Sequence, residues 1–246
     1  MLLEICTDNL ETSIAAQHAG AARIELCAAL IEGGLTPSFS LMQQVTKSVK
    51  IPVHVMIRPR GGDFLYSDTE FELMKADILH AKKAGAAGVV FGILRSDGSI
   101  DRERCIELVQ LASPMDVAFH RAFDMTADPF FAMEEIIEIG CNILLTSGHR
   151  QTAEDGLELI RELIKRAGNR IQVMAGSGVN ASNAVLLYEA GVRCFHFTAR
   201  KKVGGGMRYR NEALQRMGSS ADYDEYALYV FDGEKVQAVF KALTGS

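Results

Sequence analysis

The chain has 246 residues, the usual length for eight strand–helix units in one barrel, and 48 % of them are apolar, enough for a large core. A net charge of −5 argues against a general nucleic-acid partner, which normally calls for a basic excess. No apolar run approaches the ~20 residues that span a bilayer, which argues against a membrane partner. Met1 to Ile5 lack the basic-then-apolar pattern of a signal peptide, so a cytoplasmic protein is expected.

The predicted elements alternate along the chain. A strand over Leu2 to Cys6 precedes a helix over 10–19, which ends in Ala19-Gly20 before a strand at Arg23 to Cys27. A helix over 38–47 leads to a strand at Val53 to Ile57, and a helix over 70–84 ends in Ala84-Gly85 before a strand near Gly88. Helices over 101–112 and 129–139 flank a strand at Val117 to His120. Ile139-Gly140 then introduces Asn142 to Leu145. Helices over 153–167 and 181–190 each end in Ala-Gly, before strands starting at Ile171 and Cys194, and a last helix covers 234–243. Glycine just past a helix takes the left-handed conformation that caps it, so each phrase reads as helix, cap, strand. Asp68, Asp128 and Asn180 stand where caps or first-turn acids belong. Eight such alternations predict an α/β fold of the (β/α)8 barrel type, with residues 1–246 as one domain. An open dinucleotide-binding sheet is disfavoured because no Gly-x-Gly-x-x-Gly follows the first strand. The segment 199–222 reads as one long irregular loop, and a loop of that length is usually functional.

Strand side chains alternate faces, so each strand can be read for what it sends into the barrel. Leu3, Ile5, Ile24, Leu26, Val53, Val55, Ile57, Val117, Phe119, Phe195 and Phe197 form the helix-facing set. Glu4, Cys6, Glu25, Cys27, His54, Met56, Arg58, His120, Cys194, His196 and Thr198 then face inward. A structural barrel fills that space with Val, Ile and Leu. Burying an unpaired polar group costs ~2–7 kcal/mol, so these residues must pair with one another, meet water or meet a ligand.

The loops after the strands repeat the polar theme. Arg58-Pro59-Arg60-Gly61-Gly62 sets two arginines beside glycines, a pattern able to hold a carboxylate or phosphate. His120-Arg121-Ala122-Phe123-Asp124 places imidazole, guanidinium and carboxylate at one strand end, and Thr146-Ser147-Gly148 closes strand six. Gly176-Ser177-Gly178 ends strand seven, where this fold commonly cups phosphate at a helix N-terminus. His196, Arg200 and Arg208 add donors near the same mouth. The candidate anion-binding set is therefore Arg58, Arg60, Ser147, Gly176, Ser177, Gly178, His196, Arg200 and Arg208. Glu25, His120 and Asp124 are the candidate acid–base residues.

Taken together, Glu25-Leu26-Cys27, Glu32 to Ser38 (EGGLTPS), Ile57 to Ser67 (IRPRGGDFLYS), Phe119 to Asp124 (FHRAFD), Leu145 to Gly148 (LTSG), Met174 to Val179 and Met207 to Asn211 (MRYRN) resemble the CutC family. That resemblance implies a cytoplasmic, often homo-oligomeric barrel with a role in copper handling, and it matches Cys6 and Cys27 to the family's Cu(I) cysteines. Those two residues end adjacent strands with the same inward parity, and Met56 and Met174 offer further soft sulfur. The five cysteines are scattered and none forms Cys-x-x-Cys, a pattern that suits reduced thiols. Two ligand classes stay open: a Cu(I) ion on the thiols, or a small phosphorylated or carboxylated metabolite acted on at the mouth.

Overall fold

The computed structural model describes residues 1–213, 217 and 224–245. Strands β1 (Leu2–Thr7), β2 (Arg23–Leu26), β3 (Val53–Met56), β4 (Gly88–Phe91), β5 (Asp116–Phe119), β6 (Ile143–Thr146), β7 (Gln172–Gly176) and β8 (Cys194–Phe197) pair in sequence order. All these pairings are parallel, and β8 returns to β1 to close the barrel. Helices α1 (Leu10–His18), α2 (Phe39–Ser48), α3 (Asp68–Ala84), α4 (Arg102–Ala112), α5 (Pro129–Ile139), α6 (Leu157–Ala167) and α7 (Ala184–Glu189) each follow one strand. The expected (β/α)8 barrel is the fold found.

Side-chain parity divides the interior as the alternation requires. Leu3, Ile5, Ile24, Leu26, Val53, Val55, Ile57, Val117, Phe119 and Phe195 pack with the helices in one buried cluster. Cys6, Cys27, Met56, Val90, Ala118, Ile143, Leu145, Met174 and Cys194 form a second cluster inside the barrel. The register sets Glu4 beside Arg23 on one side and His196 on the other, with Cys6 beside Glu25. Local chemistry fixes several helix starts. Ser67 and Glu70 make a reciprocal capping box on α3, and Asp128 accepts from the amides of Phe130 and Phe131 ahead of α5.

Three local expectations are corrected. The segment from 199 is not irregular throughout: β9 (Arg200–Gly204) pairs antiparallel with β10 (Ala227–Phe231), and α8 (Gly233–Thr244) follows. Part of that segment, 214–216 and 218–222, lies outside the described residues. The helix expected over 181–190 is confined to Ala184–Glu189, because the Asn180 side chain accepts from Ser182 N–H and Oγ and holds a turn there. Similarly Thr152 and Asp155 close a turn that delays α6 to Leu157. Asp68 takes the first-turn place expected of it, with Ser67 as the cap.

Candidate functional site

The barrel's charged floor comes from β1, β2 and β8. Glu4 is fully buried between an ion pair with Arg23 Nε and a 2.7 Å hydrogen bond from His196 Nδ1. Burial alone would raise its pKa, but His196 and Arg23 outweigh that and bring it down to about 2. His196 Nε2 faces Glu25 Oε2 at 3.7 Å. Burial opposes the imidazolium, yet the Glu25 and Glu4 carboxylates hold its pKa well above the usual histidine value. Glu25 shifts upward, first through burial and then through Glu4, with His196 pulling the other way.

Above this layer the two predicted thiols meet. Cys6 Sγ lies 3.5 Å from Cys27 Sγ, and Cys27 Sγ donates to Glu25 Oε2 at 3.4 Å. Both residues are buried, and burial pushes the Cys27 thiol up to about 12. Cys6 is raised further by its bond to Cys27 and by burial. Cys6, Glu25 and His196 also offer one ligand atom each within 4.8 Å of one another. The donor set fits a soft ion that is accepted in exchange for thiol protons.

A cavity of about 890 Å³ opens over the floor at the strands' carboxyl ends. Cys6, Glu25, Met56 and His196 line its base, and Leu30, Phe64, Leu145 and Phe197 its walls. Arg58, His120, Arg121, Ser177, Gly178, Arg200 and Lys235 line its upper part. Among the described residues, four non-glycine residues take positive φ: Ala29, His149, Ser177 and Ala199. Each lies in a loop leaving a strand's carboxyl end, here β2, β6, β7 and β8. Backbone strain concentrates where function is housed, and here it rings one mouth.

The predicted residues divide into those that line this cavity and those that build it. Glu25, His120, His196, Cys6, Arg58, Ser177, Gly178 and Arg200 line it. Cys27 sits fully buried behind Cys6. Arg58 is already engaged: its Nη1 donates to the carbonyls of Glu32 and Gly34, and its Nη2 to Gly62. It clamps the Glu32–Gly34 turn to the loop after β3. Arg60 is absent from the cavity wall and ion-paired with Glu70 and Asp63, so the two-arginine clamp is not assembled. Asp124 is also off the wall, accepting from Arg121 Nε, Thr146 Oγ1, Ser147 Oγ and the amides of Ser147 and His149. Ser147 belongs to that same lock. Gly176 borders the cavity only through its neighbours, and exposed Arg208 is not on the wall. His54 and Glu4 occupy the lumen beneath the cavity, not its mouth. His54 is level with Gly88 and 3.8 Å from Asp116, the first residue of β5. After β7, residues Ser177 to Ser182 line the cavity ahead of α7, which starts only at Ala184.

Two residues went unread. Arg23 precedes Ile24 and shares the parity of Glu25, so extending the alternation by one residue would have found it. Lys235 carries no motif. Its place in the first turn of α8, with Nζ donating to the Arg200 carbonyl, is set by tertiary structure.

Comparisons with known proteins agree with the barrel fold. The model of the CutC family matches residues 1–201. The copper homeostasis protein cutC homolog of Mus musculus is 50 % identical, covering 97 % of this chain and 88 % of its own. A family protein CutC of Erwinia tasmaniensis is 45 % identical, covering 98 % and 95 %. A crystal structure named for the copper homeostasis protein CutC of Streptococcus agalactiae superposes with a TM-score of 0.77 at 33 % identity, covering 80 % of this chain and 98 % of that one. By sequence along nearly its whole length, and by fold, the chain belongs to the CutC family.

Proposed function

We propose that this protein acts in copper homeostasis by binding Cu(I) as cargo between Cys6 and Cys27. The observation that carries the reading is the pair of thiols 3.5 Å apart, Cys6 at an open cavity and Cys27 buried directly behind it. Two thiolates satisfy Cu(I) without further ligands, and softness selects it over harder ions. Both thiols are held protonated, so uptake releases protons and affinity rises with pH, by up to about 100-fold per pH unit if two protons leave. Competition against a Cu(I) chelator tests this in wild type, Cys6→Ser, Cys27→Ser and Cys105→Ser. Loss in the first two variants and retention in the third are expected. Equal affinity in all four would refute the proposal.

A second reading has its own observation. The cavity is far larger than an ion needs, and Arg121, Arg200 and Lys235 line it with Arg58. These cations suit the anionic group of a small phosphorylated or carboxylated metabolite, with Glu25 moving a proton. Calorimetry with inorganic phosphate is expected to show binding that Arg200→Ala weakens. No binding, or the same binding in the variant, would leave the cavity without this role.

A further inference from the structure

His120 carries an inference beyond the anionic group. Its Nδ1 accepts the Ala122 N–H at 3.2 Å, so the ring proton resides on Nε2. That Nε2 is buried and has no hydrogen-bond partner among the described residues, in a residue 4 % exposed that lines the cavity. The ring is fixed in place. Phe64 lies 4.9 Å away between centroids, Phe119 meets it edge-on at 6.2 Å, and Gly92 lies so close that an added methyl would come within 2.7 Å of Nδ1. Burial and the neighbouring Arg58 charge bring its pKa down to about 3, so the imidazole stays neutral. A buried donor without an acceptor costs free energy unless a ligand supplies the acceptor.

We propose that His120 is a specificity-determining donor. Its Nε2–H takes the carbonyl oxygen of a small ligand whose anionic group, phosphate or carboxylate, meets the cations that line the same cavity. This rests on the second reading above and names its ligand class, an anionic oxo compound. A neutral imidazole polarises a carbonyl without surrendering a proton, the role the neutral histidine of triosephosphate isomerase illustrates. A copper ion would leave the donor unused, because an N–H does not coordinate metal.

The test uses the full chain and five probes: inorganic phosphate, glycerol phosphate, dihydroxyacetone phosphate, lactate and pyruvate. Binding is followed by calorimetry, and the carbonyl stretch of the bound probe by infrared difference spectroscopy. Wild type is expected to bind a carbonyl probe roughly tenfold tighter than the matching anion without a carbonyl, one hydrogen bond's worth, with the stretch shifted to lower wavenumber. Dihydroxyacetone phosphate and pyruvate separate phosphate from carboxylate as the anionic group. His120→Asn keeps an acceptor near the Nδ1 position and removes the Nε2 donor. It should retain phosphate affinity and lose both the preference and the shift. His120→Gln returns an amide donor near the Nε2 position and should recover part of each. If phosphate binds while carbonyl probes show neither preference nor shift, this inference falls and the anion reading stands. If neither phosphate nor pyruvate binds, both fall.

Discussion

At the scale of single residues, Glu4 shows how the barrel tolerates charge in its interior. The carboxylate is paired on both sides, by Arg23 and by His196, and burial raises the cost of losing either partner. Arg23→Leu removes one of the two partners of buried Glu4 and is expected to destabilise the protein by about 3 kcal/mol, measured by urea unfolding. The double variant Glu4→Gln with Arg23→Leu should cost less than the single one, because no buried charge is left alone. A single variant as stable as wild type would show that the pair contributes nothing. Strand parity made Glu4, Glu25 and the two thiols legible as inward residues. It could not show that Glu4 is occupied by neighbours while Glu25 keeps one oxygen without a partner among the described residues. That difference depends on register between strands far apart in sequence.

At the scale of elements, the distinctive strings of the sequence lock the loops to one another. The loop after β3 is fastened to the Glu32–Gly34 turn through Arg58, and the loops after β5 and β6 are fastened through Asp124. Arginines beside glycines and a carboxylate at a strand end look the same in sequence whether they grip a ligand or a neighbouring loop. Residues such as Arg60, Asp124 and Ser147 therefore read as ligand contacts when their hydrogen bonds are already made within the fold. Within the loop after β6, Gly148 packs directly against the Gly156 backbone. A methyl there would lie 2.2 Å from the Gly156 carbonyl oxygen, and φ is +70°. Gly148→Ala should cost about 3 kcal/mol or more by thermal unfolding, since backbone rather than a flexible side chain must move. Gly85→Ala, at φ +85° with open space around it, should cost only about 1–2 kcal/mol. Equal costs would mean that the close approach of Gly148 and Gly156 within the loop after β6 is unimportant.

At the scale of the whole molecule, the buried histidines set the response to acid. Burial brings His54 down to about 4 and His120 down to about 3, while the unfolded chain titrates them near 6.5. Between those values the unfolded state binds more protons, so stability falls as pH drops from 6.5 toward 4. Glu4, brought down to about 2 from an ordinary 4.5, extends the loss at still lower pH. His196 acts oppositely: its raised pKa gives stability that is complete below 6.5 and fades as pH rises through the folded value. Urea midpoints should therefore fall by a few kcal/mol equivalent between pH 7 and pH 4, at ~1.4 kcal/mol per pKa unit. A flat profile would contradict the neutral, buried imidazoles. No helix among the described residues is long and apolar enough to cross a membrane, and Cys6 lines the cavity with Cys27 buried behind it. The most direct test of Cu(I) as cargo is a crystal structure of the reduced protein loaded with one equivalent of Cu(I). The ion is predicted between Cys6 Sγ and Cys27 Sγ at the base of the cavity. Copper bound only elsewhere, with the two thiols undisturbed, would contradict it.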